Sequence, residues 1–165
     1  FNEAKRLMPA LSKTLEKLTK GLPYAPPVDA APELPEALPP QIAYVKDVEK
    51  GKGISYGHTY VTSRRTRLAT LPVGYGDGYP RSLSNKAFCL IGGKRARIIG
   101  RICMDQLLAD VTNIKNAKTG QEVVLIGRQK DKSISAEELA KLAGTIPYEI
   151  VCNLGHRVPR VYRKS

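Results

Sequence analysis

Ala87-Phe88-Cys89-Leu90-Ile91-Gly92-Gly93-Lys94-Arg95-Ala96-Arg97-Ile98-Ile99-Gly100-Arg101-Ile102 holds two short apolar runs, residues 87–91 and 95–102, on either side of a Gly-Gly pair. Runs of this kind favour a pleated strand, and consecutive glycines between them supply the backbone freedom of a tight hairpin turn. The stretch therefore predicts a β-hairpin. Working outward, residues 41–48, 59–61, 67–71, 107–111 and 122–126 are equally short, rich in Val, Ile and Leu, and separated by glycine or asparagine turns. Residues 149–152 and 157–162 read as the last strand pieces. One helix interrupts: Ser135 with Glu138 three residues later is a capping box, and Leu139, Leu142 and Ala143 form an apolar face that stops at Gly144. Seven or more short strands with one short helix define a mainly β domain, an antiparallel barrel or sandwich.

The front of the chain has a different character. Leu7, Leu11, Leu15, Leu18 and Leu22 recur at helical spacing and Gly21 stands at a C-cap position, which predicts an N-terminal helical segment over residues 1–21. Residues 22–40 hold seven of the twelve prolines. That density forbids sheet hydrogen bonding and predicts an extended linker. The β-domain is placed at residues 41–165.

A length of 165 residues suits one ordinary domain with a real core. The opening residues mix Glu3, Lys5 and Arg6 with few apolar positions and carry neither a secretory apolar region nor a membrane span, so the expectation is a cytoplasmic chain that is part of a longer one. Cys89, Cys103 and Cys152 are widely spaced, odd in number and each in an apolar context, which suits buried thiols in a reducing compartment. The net charge of +12 raises nucleic acid as a partner. Against it, the charges are dispersed, with local clusters at Arg64-Arg65-Thr66-Arg67, Lys94-Arg95-Ala96-Arg97 and the terminal Arg160 to Lys164, and have little interleaved aromatic surface to stack on bases. His58 and His156 have no ligand-spaced partners, so no metal is expected.

Two motifs remain to be placed: Thr70-Leu71-Pro72-Val73-Gly74-Tyr75-Gly76-Asp77-Gly78-Tyr79-Pro80-Arg81 and Gly100-Arg101-Ile102-Cys103-Met104-Asp105-Gln106. Upstream stands Gly53-Ile54-Ser55-Tyr56-Gly57-His58-Thr59-Tyr60; downstream stand Thr145-Ile146-Pro147-Tyr148-Glu149 and Arg157-Val158-Pro159-Arg160-Val161-Tyr162. In this order and spacing the five fragments resemble the C-terminal β-domain of bacterial alanine racemases, which are pyridoxal-phosphate enzymes. Pro9-Ala10-Leu11-Ser12 resembles the family's usual way into that domain but lies far upstream of Val45, so either a segment is inserted or the match is accidental.

The resemblance implies that Tyr56 is one of two bases acting on opposite faces of the substrate and that Met104 offers its backbone amide to the substrate carboxylate. It also implies that Tyr75, Arg81, Arg101, Asp105, Ile146 and Tyr148 line the approach to the active site, with Tyr148 touching the cofactor phosphate as well. Taken alone, Tyr56 reads as a rim aromatic, Met104 as a filler of core gaps, and Asp77 as a turn residue between glycines. The chemistry nevertheless suits the assignment. Racemisation takes a proton from one face of Cα and returns it on the other, and two groups on opposite sides avoid reorienting the substrate. A phenol with a reference pKa of about 10 acts as a base near neutrality only beside a cation or hydrogen-bond donor.

By the same resemblance, pyridoxal phosphate is held by an N-terminal barrel that this chain does not contain, and the chain alone is expected to be inactive. The implied partners are that barrel and a second subunit in a head-to-tail homodimer, with a small amino acid as substrate. Racemisation of serine or another amino acid, and a basic nucleic-acid-binding barrel, are the competing readings. The proline-dense stretch yields a first test. A broad-specificity protease should cut residues 22–40 first and leave a resistant core beginning near Gln41. N-terminal sequencing of early fragments checks this, and faster nicking inside residues 95–126 would contradict the boundary.

Overall fold

The structure, a computed structural model, describes residues 40–160. The expected helix over residues 1–21, all but the last residue of the expected linker, and residues 161–165 lie outside the described residues.

The Gly-Gly signal is realised. β5 (Phe88–Ile91) and β6 (Lys94–Ile98) pair antiparallel with Ile91 opposite Lys94. Gly92 and Gly93 sit at φ 61° and 81°, the two successive positive values that a two-residue hairpin of matching twist needs. Outward from this hairpin, β7 (Leu107–Asp110) joins β6, β4 (Thr66–Leu71) joins β7, and β1 (Tyr44–Val48) joins β4, while β8 (Val123–Val124) joins the other side of β5. All six strands run antiparallel in the order β1-β4-β7-β6-β5-β8.

The sheet curls, and its two edges meet. Just before β1, the Ile42 amide donates to Gln121 O at 2.9 Å, the Val123 amide donates to Pro40 O at 2.7 Å, and the Gly120 amide donates to Ile42 O at 2.8 Å. One residue further on, the Ala43 amide donates to Thr70 O, so the same length of chain turns from one edge to the other. Residues 41–48, expected as one strand, are thus a bridge to residues 120–123 followed by β1.

Alternation along β4 explains why two cores form. Ala69 and Leu71 point into the main core with Cys89, Ile91, Ala96, Ile98, Leu107 and Ala109. Leu68 faces the other way and packs with Ile54 and Ile99 in a small outer cluster edged by Val48, Tyr60 and Leu108. That outer cluster seats a second hairpin, β2 (Gly53–Ile54) with β3 (Tyr60–Val61). The largest fully buried side chains are Leu and Ile throughout, each stabilising by about 1.5–3 kcal/mol. Exposed ion pairs such as Arg65 with Asp47 and Glu49 contribute about 0–1 kcal/mol each, so packing outweighs them.

A third hairpin, β9 (Gly127–Gln129) with β10 (Lys132–Ile134), leads into α1 (Ala136–Ala143). Ser135 caps α1 by accepting from the Glu138 amide, and Gly144 closes it at φ 78°, as the sequence predicts. Residues 149–152, expected as a strand, belong instead to a helix, α2 (Pro147–Cys152). Pro147 at its first turn and the Thr145 hydroxyl bonded to the Glu149 carboxylate set the start of that helix, and Ile150 is its buried anchor against α1. The apolar residues of this segment serve one face of a helical turn, which a four-residue run cannot distinguish from a strand. Residues 157–160 are likewise turn and irregular backbone rather than strand.

Of the three cysteines expected to be buried, Cys89 is, Cys103 is half-buried and Cys152, at the end of α2, is exposed. Two ionisable groups are locked inside. Burial pushes the Cys89 thiol up to about 12, and burial together with nearby Cys89 and Glu138 raises the Tyr79 phenol, whose hydroxyl finds no partner among the described residues. Both folded pKa values lie above the unfolded ones, so the stabilisation is complete below the unfolded values and drains away as pH rises through them. The urea midpoint should therefore be flat to about pH 8 and fall progressively above about pH 9, where an unfolded thiol ionises. A midpoint that holds steady to pH 11 would contradict this.

Candidate active site

The loop carrying Tyr56 is fixed at both ends. Ile54 is buried in the outer cluster, and Ser55 adopts φ 61°, a conformation costing a non-glycine residue about 1–3 kcal/mol. Its hydroxyl offsets part of that cost by donating to Arg101 O at 2.7 Å, and it lies 3.5 Å from Cys103 Sγ. The close approach depends on Gly100: a Cβ there would stand 2.9 Å from Ile54 O. Tyr56 then opens a 3-10 turn, Tyr56–His58, with its ring 73% exposed. The guanidinium of Arg101 lies against the same turn, since a Cβ on Gly57 would stand 3.5 Å from Arg101 Nε. Ser55, Tyr56, Arg101, Cys103 and Gln106 share a recess of about 300 Å³.

Met104 lies in a turn closed by the Cys103 amide donating to Gln106 O at 2.9 Å. Its side chain is half exposed, and its own N–H makes no hydrogen bond to the described residues. The 74–78 turn is stitched to it: Tyr75 N–H donates to Cys103 O at 3.0 Å and Gly76 N–H donates to Met104 O at 2.9 Å. No side chain fits between them, because a Cβ on Gly74 would lie 2.2 Å from Cys103 O. Asp77 is a turn residue, as expected, and more: its carboxylate accepts from the Gly74 amide at 2.9 Å while its own amide donates to Gly74 O at 3.1 Å.

The C-terminal segment completes the rim. The Gly155 amide donates to Asp77 O at 3.0 Å, and Gly78, at φ 97°, lies so close to Asn153 that a Cβ would overlap its carbonyl. The same segment follows α2, which holds Tyr148 79% exposed, with Ile146 exposed just before it. Arg157 then reaches back with Nε 3.5 Å from Asp77 and Nη2 2.6 Å from Asp105. Of the residues singled out in the sequence, Tyr56 and Arg101 share the recess, while Met104, Asp105 and Tyr75 share the stitched turns. Ile146 and Tyr148 connect to them through α2.

Arg81 stands apart. It opens the 3-10 turn Arg81–Leu83, and its side chain makes no hydrogen bond or ion pair with the described residues; its link to the rim is the neighbouring Ser84 hydroxyl, which accepts from the Ile102 amide at 3.0 Å. Sequence reasoning gave no role to Ser55 or Arg157. The only signals were their places in two of the five fragments, Ser55 beside Tyr56 and Arg157 at the head of the last. A larger concavity, about 660 Å³ and lined mostly by apolar side chains such as Val73, Leu125 and Val158, includes none of the singled-out residues.

The basic clusters are largely committed inside the fold. Arg64 pairs with Asp110, Arg65 with Asp47, and Arg95 with Glu138 while covering the Phe88 ring; Arg67 donates to Lys115 O and Ala117 O.

Fold and rim together define a mainly β domain that presents its candidate residues outward, on a surface, rather than inside a closed pocket. The family model for the alanine racemase C-terminal domain matches residues 37–162, and the chain belongs to that family. It is 56% identical over 125 residues to the alanine racemase of Halothermothrix orenii, covering 76% of this chain and 33% of that protein. It is 52% identical over 146 residues to that of Symbiobacterium thermophilum, covering 86% and 38%. Among solved structures, alanine racemase from Bacillus anthracis with bound L-Ala-P superposes with a TM-score of 0.71 at 40% identity, over 86% of this chain and 37% of that one. Alanine racemase from Bartonella henselae with covalently bound pyridoxal phosphate gives 0.68 at 33% identity, over 74% and 33%. The chain thus spans about a third of the length of these relatives.

Gly74→Ala should prise the two turns apart at a cost of about 1–3 kcal/mol, the usual range for an overpacked site. Gly144→Ala, with open space around its Cβ, should cost only the backbone strain of about 1–2 kcal/mol. Hydrogen exchange separates the two: the Tyr75 and Gly76 amides should lose protection in the first variant and keep it in the second.

Proposed function

We propose that this chain is the part of an alanine racemase that supplies one of its two bases and its substrate-carboxylate contact, the rest of the active site being contributed by an N-terminal barrel domain and a second subunit. The observation that carries the reading is Tyr56: a largely exposed phenol on a backbone held by the buried Ile54 and the Ser55–Arg101 hydrogen bond. A base that meets its substrate from across a domain boundary needs an outward-facing side chain on a rigid support, and this arrangement supplies both.

In this reading Tyr56 takes the Cα proton of L-alanine and delivers it in the reverse direction, while a lysine outside this chain serves the opposite face. Arg101, packed against the Tyr56 turn, lines the same recess. The free N–H of Met104 orients the substrate carboxylate without placing a competing cation beside Cα. Tyr75, Arg81, Asp105, Ile146 and Tyr148 flank the approach.

Pyridoxal phosphate, when bound, supplies the electron sink that lets a Cα proton leave. Its fit to this chain is limited. No lysine lines the Tyr56 recess, and the exposed Tyr148 hydroxyl is the one group singled out for a phosphate contact. Cofactor attachment is therefore assigned to the barrel, and the 165-residue chain is inactive by itself.

Tyr56→Phe in the complete enzyme keeps the ring and removes only the ionisable oxygen. Deuterium uptake from heavy water into L-alanine should be abolished, while exchange into D-alanine, served by the opposite base, persists. Tyr75→Phe should leave both exchanges. Retained exchange of L-alanine in Tyr56→Phe would falsify the role.

A further inference from the structure

We propose that Arg157 is a positioning residue for the Met104 turn, fixing the angle of its free amide and neutralising the carboxylate beside it. The proposal rests on the reading that this amide meets the substrate carboxylate.

Three observations lead to it. First, Arg157 pairs with one carboxylate from each of the stitched turns, Asp77 and Asp105, and among the described residues no other cation pairs with either. Second, its guanidinium lies directly on the backbone between them: a Cβ on Gly76 would stand 2.5 Å from Arg157 Nη1 and 3.0 Å from Met104 O. Third, the base of Arg157 is itself tied to the same turn, through the Gly155 amide on Asp77 O and the Val158 amide on Gly155 O at 3.2 Å.

The consequence is both mechanical and electrostatic. The 103–106 turn is held by the Tyr75 and Gly76 amides, and Arg157 adds a further hold by gripping the residue that follows Met104. Asp105 is mostly exposed, and left unpaired it would set a negative charge one residue from an amide that is to receive a carboxylate. The planar fork of arginine spans two acids on different segments, which a single ammonium does poorly. The neighbouring Asp105 hydrogen bond, with the charges of Asp77 and Asp105, holds Arg157 still more firmly in its cationic form.

Arg157 touches neither reacting atom, so its loss should weaken binding more than chemistry. In the complete enzyme, Arg157→Gln should raise KM for alanine about tenfold, the scale of one charge-assisted hydrogen bond, with kcat changed less than about twofold. Arg157→Lys should recover part of the KM and none of the geometry that needs both acids. In the 165-residue chain, Arg157→Gln should speed hydrogen exchange at Tyr75 and Gly76 by about tenfold or more while Ile98 and Ala109 in the sheet keep their protection. Unchanged exchange at Tyr75 and Gly76, equal acceleration across the sheet, or a fall in kcat at constant KM would each overturn the proposal. Failure of the racemase reading has a different signature, because Tyr56→Phe would then leave L-alanine exchange intact whatever Arg157→Gln does to the amides.

Discussion

Everything in this domain hangs on one closure: the few hydrogen bonds by which residues 40–42 tie the β8 edge to the strand that starts at Tyr44. A six-stranded antiparallel sheet with free edges would expose rows of unpaired amides and carbonyls and leave its inner face open to water. Because the entering chain pairs first with residues 120–123 and then with β4, the edges are used up and the inner face becomes a sealed core. Cys89 and Tyr79 titrate as they do because of that seal.

The candidate residues lie outside that core, on the rim. The outer cluster of Ile54, Leu68 and Ile99 shows how: it anchors a two-residue hairpin to the sheet's outer face and leaves the following loop to present Tyr56. The glycines around it serve a different purpose from flexibility. Gly74, Gly76, Gly78 and Gly100 are places where one backbone lies against another at a distance that a methyl group would block. Rigidity at the rim comes from close backbone contact, and the aromatic and charged side chains project from it.

The sequence disclosed the parts of this arrangement that are local. Gly92-Gly93 and the Ser135 cap each act within a few residues, and both hold in the structure, although the Glu138 carboxylate pairs with Arg95 instead of closing the box. The family itself was legible in five fragments. What stayed hidden depends on distant partners. β2 is only two residues long and exists because Leu68 offers it a seat. β9 and β10 are polar, with a Lys130-Asp131 turn whose positive φ at Lys130 no residue preference announces. α2 was mistaken for a strand because four apolar-rich residues satisfy either period. Arg157, fifty-two positions from Asp105, gave no local sign of its contact.

The rim is assembled from residues 53–58, 74–78, 100–106 and 144–157, four segments scattered over most of the domain. A growing chain emerging from the ribosome completes the β4–β7 and β5–β6 pairings well before residue 153 is available, yet the 74–78 turn waits for Gly155 and Arg157 to arrive. The rim is therefore finished last, together with the part of the main core that Ile150 fills. Synthesis order alone leaves the rim unfinished until the segment that carries Gly155 and Arg157 has been made.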